Sequence, residues 1–335
     1  MTSFGYYRVV EAKDEAGFHA IVAIHNINLG PAMGGCRVWS YDGYEDHLQD
    51  ALRLAEGMTY KNALAGLKFG GGKATINAPK ATAEVLDKFA EVMEYINKDG
   101  LEYITAGDVG TGPAEVAHLR ERTEFVNGAQ LGQDSGYATA FGVYMALMGA
   151  LKFRNRELRK QAIFIEGLGK VGMRLTGFLK NEARGLFVSD LSESAEQLAF
   201  IQHTAVPVRD WKEGFLQAGV YSPCALGGTL DENVLTLLEP GDIVCGGANN
   251  QFSKEGIDVS YAARGITVVP DFLANAGGVI IVANGGDGAE WDDPNIMELL
   301  RQLQFTSEEV LDRARDEGYT PLFIAKRMAE EILNA

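Results

Sequence analysis

The segment QAIFIEGLGKVGMRLTGFLK, residues 161–180, restricts the possible folds of this chain more than any other feature. An apolar run precedes three glycines in the order G-x-G-x-x-G, and a helix-like stretch follows them. Glycines in this context let the backbone approach a pyrophosphate at the positive end of a helix. The segment therefore predicts a dinucleotide-binding loop, and its predicted cofactor-binding residues are Gly167, Leu168, Gly169, Lys170, Val171 and Gly172.

Asp190 ends the next apolar run, LFVSD, 23 residues after Gly167. An acid at this place accepts hydrogen bonds from the hydroxyls of the adenosine ribose. The carboxylate would repel the 2′-phosphate of NADP, and no arginine follows it in the segment 189–197, so NAD is the predicted cofactor. The glycines could instead serve only a tight turn, but strand, glycines, helix, strand and acid together favour the cofactor site.

Short apolar strands alternate with helices after the glycine loop, which predicts a parallel, doubly wound sheet. The first third alternates like strands and then reads as helices at about 45–60 and 82–97. Since 335 residues exceed what one core usually serves, we expect an α/β protein of two domains. The predicted domains are a substrate-binding, catalytic and oligomerisation domain at 1–134, completed by a C-terminal helix at 311–335, and a Rossmann-type NAD-binding domain at 135–310.

The charge and cysteine content exclude several classes of protein. The formal net charge of −16 argues against nucleic acid or an anionic membrane as a partner. Three separated cysteines without a C-x-x-C pair predict neither a disulfide framework nor a metal site. The N-terminal stretch does not resemble a secretory signal, and no apolar run reaches the ~20 residues that span a bilayer. The prediction is a cytoplasmic enzyme without a metal.

Two lysines stand in segments that otherwise suit burial. Lys61 follows an apolar helical stretch, and Lys73 follows three glycines, 12 residues later. A surface lysine is usually a solvated charge, whereas a buried lysine needs a partner. A lysine withdrawn from water near another cation releases its proton more readily, which suits a general base. The pattern leaves solvated and functional lysines as open alternatives.

Six motifs carry a resemblance that extends from about residue 18 to the end of the chain. They are GPAMGGCR at 30–37, DALRLAEGMTYKNALAGLKFGGGKA at 50–74, TAGDVGT at 105–111, PCALGG at 223–228, GGANNQ at 246–251 and NAGGV at 275–279. In these motifs the chain resembles the glutamate/leucine/phenylalanine/valine dehydrogenase family. The resemblance implies NAD-dependent, reversible oxidative deamination of an L-amino acid to a 2-oxo acid and ammonia.

The resemblance also implies roles for individual residues. Lys73 matches the catalytic lysine that helps water attack the imino intermediate as a general base. Asp108 matches the aspartate that hydrogen-bonds the reacting amino group, although GDVG alone would suggest a turn-forming residue. Lys61 matches the lysine that pairs with the substrate α-carboxylate, helped by the backbone around Gly34 and Gly35.

Further implied features concern the cofactor and the assembly. Thr139, Asn249 and Asn250 match positions near the nicotinamide and its ribose, although alone they would be helix-start and turn residues. The family places its active site in a cleft between the domains and generally forms homo-oligomers through the first domain. Small-molecule substrates and further copies of the chain are therefore the expected partners, without nucleic acid or membrane.

The substrate is predicted from the residues that match the side-chain pocket. Met33 stands where glutamate-specific relatives carry a lysine, so a substrate carboxylate would remain unpaired there. The other matching positions, Ala106, Val279 and Val282, are small and apolar. This pattern favours a branched-chain substrate such as leucine or valine. Phenylalanine or tryptophan is the alternative; a catalytically silent NAD-binding regulator is disfavoured because Lys61, Lys73 and Asp108 are all present.

Two segments depart from the family pattern. Residues 128–139 lack the prolines expected before Thr139, and Ile281 stands where relatives often have Asn or His. The stretch that follows, up to residue 293, is rich in glycine and acid. Its spacing fits no calcium loop, so a solvated turn is the prediction.

Overall fold

A computed structural model describes residues 5–128, 135–284 and 293–335 of the chain. Parts of both segments that depart from the family pattern, 129–134 and 285–292, lie outside the described residues. The chain divides into two compact units, which are described separately. Unit 1 comprises Met1–Gln133, Ile281–Glu290 and Ala329–Ala335, and unit 2 comprises Asp134–Ile280 and Trp291–Met328.

Unit 1 contains a mixed sheet whose strands run in the order β1-β2-β4-β3-β5. β3 lies between β4 and β5 and is parallel to both, whereas β2 is antiparallel to β1 and β4. The glycines that precede Lys73 begin β4, so Lys73 itself lies on a strand. The strands are β1 (Arg8–Lys13), β2 (His19–Asn26), β3 (Ala32–Trp39), β4 (Gly70–Asn77) and β5 (Tyr103–Gly107).

Three helices of unit 1 are α1 (Tyr44–Leu64), α2 (Ala83–Asn97) and α3 (Pro113–Arg120). α1 packs on β4 and β2, and it extends one turn beyond the predicted 45–60. α2 begins where the Thr82 hydroxyl accepts a hydrogen bond from the Val85 amide, and it buries Leu86, Phe89 and Met93 at three- and four-residue steps. The central strands are thereby buried, so a charged side chain on them needs a partner.

Unit 2 contains a six-stranded sheet in the order β11-β10-β9-β6-β7-β8, in which every neighbouring pair is parallel. This order is that of a Rossmann-type sheet, which confirms the predicted α/β fold class. The strands are β6 (Ala162–Glu166), β7 (Gly185–Ser189), β8 (Val206–Pro207), β9 (Val220–Pro223), β10 (Ile243–Val244) and β11 (Thr267–Val268).

Helices connect the strands of unit 2 and continue beyond them. Those up to the last strand are α4 (Ser135–Phe153), α5 (Gly172–Leu179), α6 (Glu193–His203), α7 (Trp211–Gln217), α8 (Glu232–Leu237) and α9 (Ile257–Ala263). The remaining ones are α10 (Asp271–Ala274), α11 (Gly277–Asn284), α12 (Pro294–Glu317) and α13 (Pro321–Leu333), of which the last residues of α11 and α13 belong to unit 1. α12 packs along the apolar α4. Among the described residues, none of these helices combines the length and apolarity needed to cross a membrane.

Candidate active site

Lys73 and Asp108 form an ion pair at the centre of unit 1. The Lys73 Nζ lies 2.9 Å from the Asp108 Oδ2, and the Lys73 side chain is only 6% exposed. Lys73 lies on β4, and Asp108 directly follows β5. Two residues that the sequence assigned to one reaction are therefore in contact, although they are separated along the chain.

Asp108 is also a turn residue, as its GDVG context indicates. Its backbone carbonyl accepts a hydrogen bond from the Thr111 amide at 3.0 Å, and its amide donates to the Thr111 hydroxyl at 2.9 Å. Gly35 lies against this turn, because a Cβ there would come within 2.9 Å of the Asp108 Cβ. The hydrogen bonds of the turn and the close packing of Gly35 therefore fix the backbone position of Asp108.

Arg37 is a second cation at this site, and sequence reasoning missed it. Its Nε lies 3.1 Å from the same Asp108 Oδ2 that Lys73 contacts. Its Nη1 lies 3.0 Å from Asp50, on α1. Arg37 is the last residue of the GPAMGGCR motif, and this position could have indicated it as a site residue. The sequence does not show which carboxylates the arginine contacts.

The electrostatic setting keeps Asp108 ionised. Burial by itself would raise the pKa of Asp108, but the charges of Lys73 and Arg37 and their hydrogen bonds lower that pKa below its usual value. Asp108 is therefore a carboxylate at neutral pH and can accept a hydrogen bond from an amino group. Burial raises the pKa of the neighbouring Cys36 thiol, which therefore stays neutral.

The predicted carboxylate-binding residues lie on elements adjacent to this pair. Lys61 is half-buried in the last turn of α1. Gly34 and Gly35 lie on β3, where the Gly34 carbonyl accepts a hydrogen bond from the buried Tyr103 hydroxyl at 2.6 Å. The roles of Lys61, Gly34 and Gly35 towards a substrate stay predictions.

The predicted side-chain pocket residues are uncharged. Met33 is fully buried on β3, and Ala106 is buried on β5. Val279 and Val282 are half-buried and one turn apart on α11. The Asn127 amide nitrogen lies 3.8 Å from the Met33 sulfur, which places a polar group beside this residue. Asn127 was not recognised from the sequence.

In unit 2 the glycine loop joins β6 to α5, as predicted. A Cβ on Gly172 would lie 1.9 Å from the Gly167 carbonyl oxygen, so only glycine permits this close packing. A Cβ on Gly169 would meet nothing within 4 Å, so this part of the loop borders open space. Leu168 is buried, whereas Lys170 is exposed and precedes the half-buried Val171. A bare backbone beside open space at a helix start fits a phosphate group.

Asp190 follows β7 and contacts the glycine loop. Its Oδ2 accepts a hydrogen bond from the Leu168 amide at 2.6 Å, and its Oδ1 accepts one from the Ser192 amide at 2.8 Å. A carboxylate has about four acceptor positions, so these bonds leave capacity for ribose hydroxyls. The loop and the predicted ribose acid are therefore in contact, at the carboxyl ends of neighbouring strands.

The three residues predicted near the nicotinamide lie in unit 2. The Asn249 side-chain oxygen accepts a hydrogen bond from Asn275 at 2.8 Å. Asn250 has a positive φ of 50° and donates its amide to Asp271 at 2.6 Å, which shows the turn character expected of an isolated asparagine. Thr139 lies one turn after the start of α4, and a Cβ on Gly278 would lie 2.7 Å from its hydroxyl. Residues 275–278 therefore lie beside both residues: Asn275 contacts Asn249, and Gly278 packs against Thr139.

Known proteins resemble this chain over nearly its whole length. The family described as Glu/Leu/Phe/Val dehydrogenase, dimerisation domain, matches residues 6–125, and the family described as Glutamate/Leucine/Phenylalanine/Valine dehydrogenase matches residues 174–316. The leucine dehydrogenase of Bacillus cereus is 35% identical over 99% of this chain and 92% of its own length. The valine dehydrogenase of Streptomyces virginiae is 33% identical over 98% of this chain and 93% of its own.

A solved structure is similar in fold as well as in sequence. The crystal structure of L-tryptophan dehydrogenase from Nostoc punctiforme superposes with a TM-score of 0.87 at 32% identity. It covers 98% of this chain, which covers 96% of the solved one. Two family matches and full-length relatives above 30% identity confirm the resemblance that the six motifs carry. This chain belongs to the glutamate/leucine/phenylalanine/valine dehydrogenase family and is an amino-acid dehydrogenase, of a class that uses a pyridine nucleotide.

Proposed function

We propose that this enzyme catalyses the reversible, NAD-dependent oxidative deamination of a branched-chain L-amino acid, leucine or valine, to its 2-oxo acid and ammonia. The observation that carries the proposal is the contact of 2.9 Å between Lys73 and Asp108, because it joins a base and an amino-group acceptor in one site. The relatives named leucine and valine dehydrogenase support the choice of substrate.

In the proposed mechanism, each of the predicted site residues of unit 1 has its own task. Lys61 pairs with the substrate α-carboxylate, beside the backbone of Gly34 and Gly35, and Asp108 accepts a hydrogen bond from the substrate amino group. This arrangement orients Cα for loss of its hydride. For the next step Lys73 must be the neutral amine, so its ammonium proton leaves to solvent beforehand. Lys73 then takes a proton from the water that attacks the resulting imino carbon, and it returns this proton to the nitrogen as the adduct collapses to the 2-oxo acid and ammonia.

NAD fits unit 2 through residues present there. The open space beside Gly169 suits the pyrophosphate, and Asp190 suits the adenosine ribose. Thr139, Asn249 and Asn250 would contact the nicotinamide and its ribose. When bound, NAD supplies the hydride acceptor. Asp190 favours NAD over NADP because residues 191–197 contain no lysine or arginine to neutralise a 2′-phosphate.

Met33 is central to the proposed substrate. It is an uncharged, fully buried side chain where a glutamate-specific site needs a cation. A glutamate side chain would place its carboxylate among Met33, Ala106, Val279 and Val282 without a cationic partner, which costs free energy. An aliphatic side chain would instead gain from contact with these groups.

Tryptophan is the second candidate substrate. The similar solved structure is that of a tryptophan dehydrogenase, and the Asn127 amide beside Met33 supports this alternative. The Asn127 amide nitrogen donates to the Met33 sulfur, and the oxygen of the same amide could accept a hydrogen bond from an indole N–H. A panel of L-amino acids with NAD and NADP, followed at the absorbance of the reduced nucleotide, separates the candidates. Leucine and valine with NAD should give the highest kcat/KM; a clear preference for tryptophan would replace the proposed substrate.

The assembly and the location extend the proposal. The family match over 6–125 is described as a dimerisation domain, which supports a homo-oligomer formed through unit 1. Light scattering with size-exclusion chromatography should give a mass that is a multiple of 36.2 kDa, and a mass of one chain would contradict it. The domain boundaries at 134/135 and 310/311 and the cytoplasmic location stay predictions.

A further inference from the structure

Arg37 bridges two carboxylates. Its Nε contacts Asp108 at 3.1 Å, and its Nη1 contacts the two oxygens of Asp50 at 3.0 and 3.4 Å. Asp50 also accepts hydrogen bonds from the Tyr41 hydroxyl at 2.8 Å and from Arg53 at 2.9 Å. Asp50 therefore holds the far end of the Arg37 guanidinium group through both of its oxygens, whereas Arg53 is 54% exposed and contacts Asp50 from the solvent side.

The two cations at Asp108 contact the same carboxylate oxygen. Lys73 and Arg37 both approach Oδ2, at 2.9 and 3.1 Å. Within the part of the chain that the structure describes, no hydrogen bond to Oδ1 is found, and the Asp108 side chain is 25% exposed. Oδ1 therefore keeps its acceptor capacity for an incoming group.

We propose that Arg37 is a positioning residue, which holds the Asp108 carboxylate so that Oδ1 faces the substrate amino group. Lys73 by itself is a point charge on a flexible stem, which permits the carboxylate to rotate. A planar guanidinium group fixed by Asp50 sets a direction as well as a charge. The inference rests on the proposed function, because that function assigns the amino group to Asp108.

The titratable groups that interact electrostatically with Asp108 come from three strands and the turn after β3. They are Lys73 on β4, Arg37 and Cys36 on β3, Tyr103 on β5, and Tyr41. Burial raises the pKa of Cys36, Tyr103 and Tyr41, so all three are neutral near pH 7. Removing Arg37 leaves Lys73 as the ion-pair partner of Asp108 among the described residues. Asp108 should then protonate at a higher pH.

The test compares Arg37→Gln with Arg53→Gln. Both arginines contact Asp50, but only Arg37 contacts Asp108, so Arg53→Gln is a matched control. For the amino acid with the highest wild-type kcat/KM, Arg37→Gln should lower kcat/KM at least about tenfold, the scale of one lost charged hydrogen bond. The acid limb of its pH profile should move to higher pH. Arg53→Gln should match the wild type in both.

Two further variants keep the inference testable if Arg37→Gln does not fold. Arg37→Lys should return the acid limb of the pH profile to its wild-type position, because the positive charge is kept. Its kcat should stay low, because a lysine cannot contact Asp108 and Asp50 at the same time with a planar group. Asp50→Asn should lower kcat with little change in the KM for NAD, because Arg37 is then less firmly held. Wild-type kcat in both variants, or equal behaviour of Arg37→Gln and Arg53→Gln, would overturn the inference. Absence of turnover in the wild type with every amino acid would instead contradict the proposed function.

Discussion

Unit 1 builds its candidate site from charged side chains on separate strands, whereas unit 2 builds its candidate nucleotide site mainly from the backbone of one continuous segment. In unit 1, Lys73 is 6% exposed and depends on a carboxylate partner. In unit 2, Gly169 offers bare backbone beside open space, and Asp190 is the main charged contact of the loop. The candidate site of unit 1 therefore depends on the attraction between charged groups. The candidate nucleotide site of unit 2 depends on glycines, whose missing side chains leave space for a ligand.

The difference teaches which changes each site tolerates. A buried ion pair loses most when one partner is removed, because the remaining charge stays in a medium of low polarity. A glycine loop loses most affinity or stability when a side chain is added, because the new atoms occupy space that a ligand or a neighbouring atom needs. Four predictions follow this contrast from the largest expected effect to the smallest.

Of these four predictions, Asp108→Asn should cause the largest loss of activity. The carboxamide keeps the shape of the side chain but removes the charge that pairs with Lys73 and that, in the proposed mechanism, accepts from the substrate amino group. We expect kcat/KM for the best amino acid to fall roughly 10³-fold, the range of a lost acid–base group. NAD affinity, measured by isothermal titration calorimetry, should stay within about twofold, because it depends on unit 2. A loss of both properties would contradict the separation of the two sites.

Gly169→Ala and Gly172→Ala should separate ligand space from packing. The added Cβ of Gly169→Ala meets no protein atom within 4 Å, so its melting temperature should match the wild type. The KM for NAD should rise about tenfold, because the methyl group enters the proposed pyrophosphate space. Gly172→Ala places its Cβ 1.9 Å from the Gly167 oxygen and should lower stability by ~1–3 kcal/mol. Unchanged NAD kinetics in Gly169→Ala would remove the pyrophosphate from this position.

Asp190→Asn should weaken the choice between nucleotides. The amide oxygen can still accept from the Leu168 amide, but the charge that we propose to oppose a 2′-phosphate is gone. We expect the ratio of kcat/KM for NAD to that for NADP to fall about tenfold, equivalent to 1.4 kcal/mol. Steady-state kinetics with both nucleotides measure this ratio. A ratio equal to that of the wild type would mean that Asp190 does not select NAD.

Asp50→Asn should change the response of stability to acid. Burial would raise the pKa of Asp50, but Tyr41, Arg37 and Arg53 lower it below its usual value. The stability from this group is therefore present above the ordinary aspartate pKa of about 3.9 and is lost as pH falls through the lower folded pKa. The wild type should lose more melting temperature between pH 6 and pH 3 than Asp50→Asn does. Parallel curves for the two proteins would contradict this assignment.

The two sites also differ in how well the sequence predicts them. The glycine loop and Asp190 follow from local patterns, because the loop, its flanking strand and its helix are contiguous. Lys73 and Asp108 were assigned through the resemblance, and the structure adds their contact. Arg37 was missed because its carboxylate partners are 71 and 13 residues away, and pairings of that kind depend on strand order. No single segment of the sequence predicts the mixed strand order β1-β2-β4-β3-β5 of unit 1.

The most direct test of the proposed chemistry is the turnover of Lys73→Ala compared with Lys88→Ala, at saturating NAD and the best amino acid. Lys88 is a lysine of unit 1 that pairs with Asp14 and Glu84, away from the Lys73–Asp108 pair. Lys73→Ala should bind NAD like the wild type and form no measurable NADH, whereas Lys88→Ala should keep wild-type turnover. NADH formation by Lys73→Ala at a rate near that of Lys88→Ala would contradict the role of Lys73.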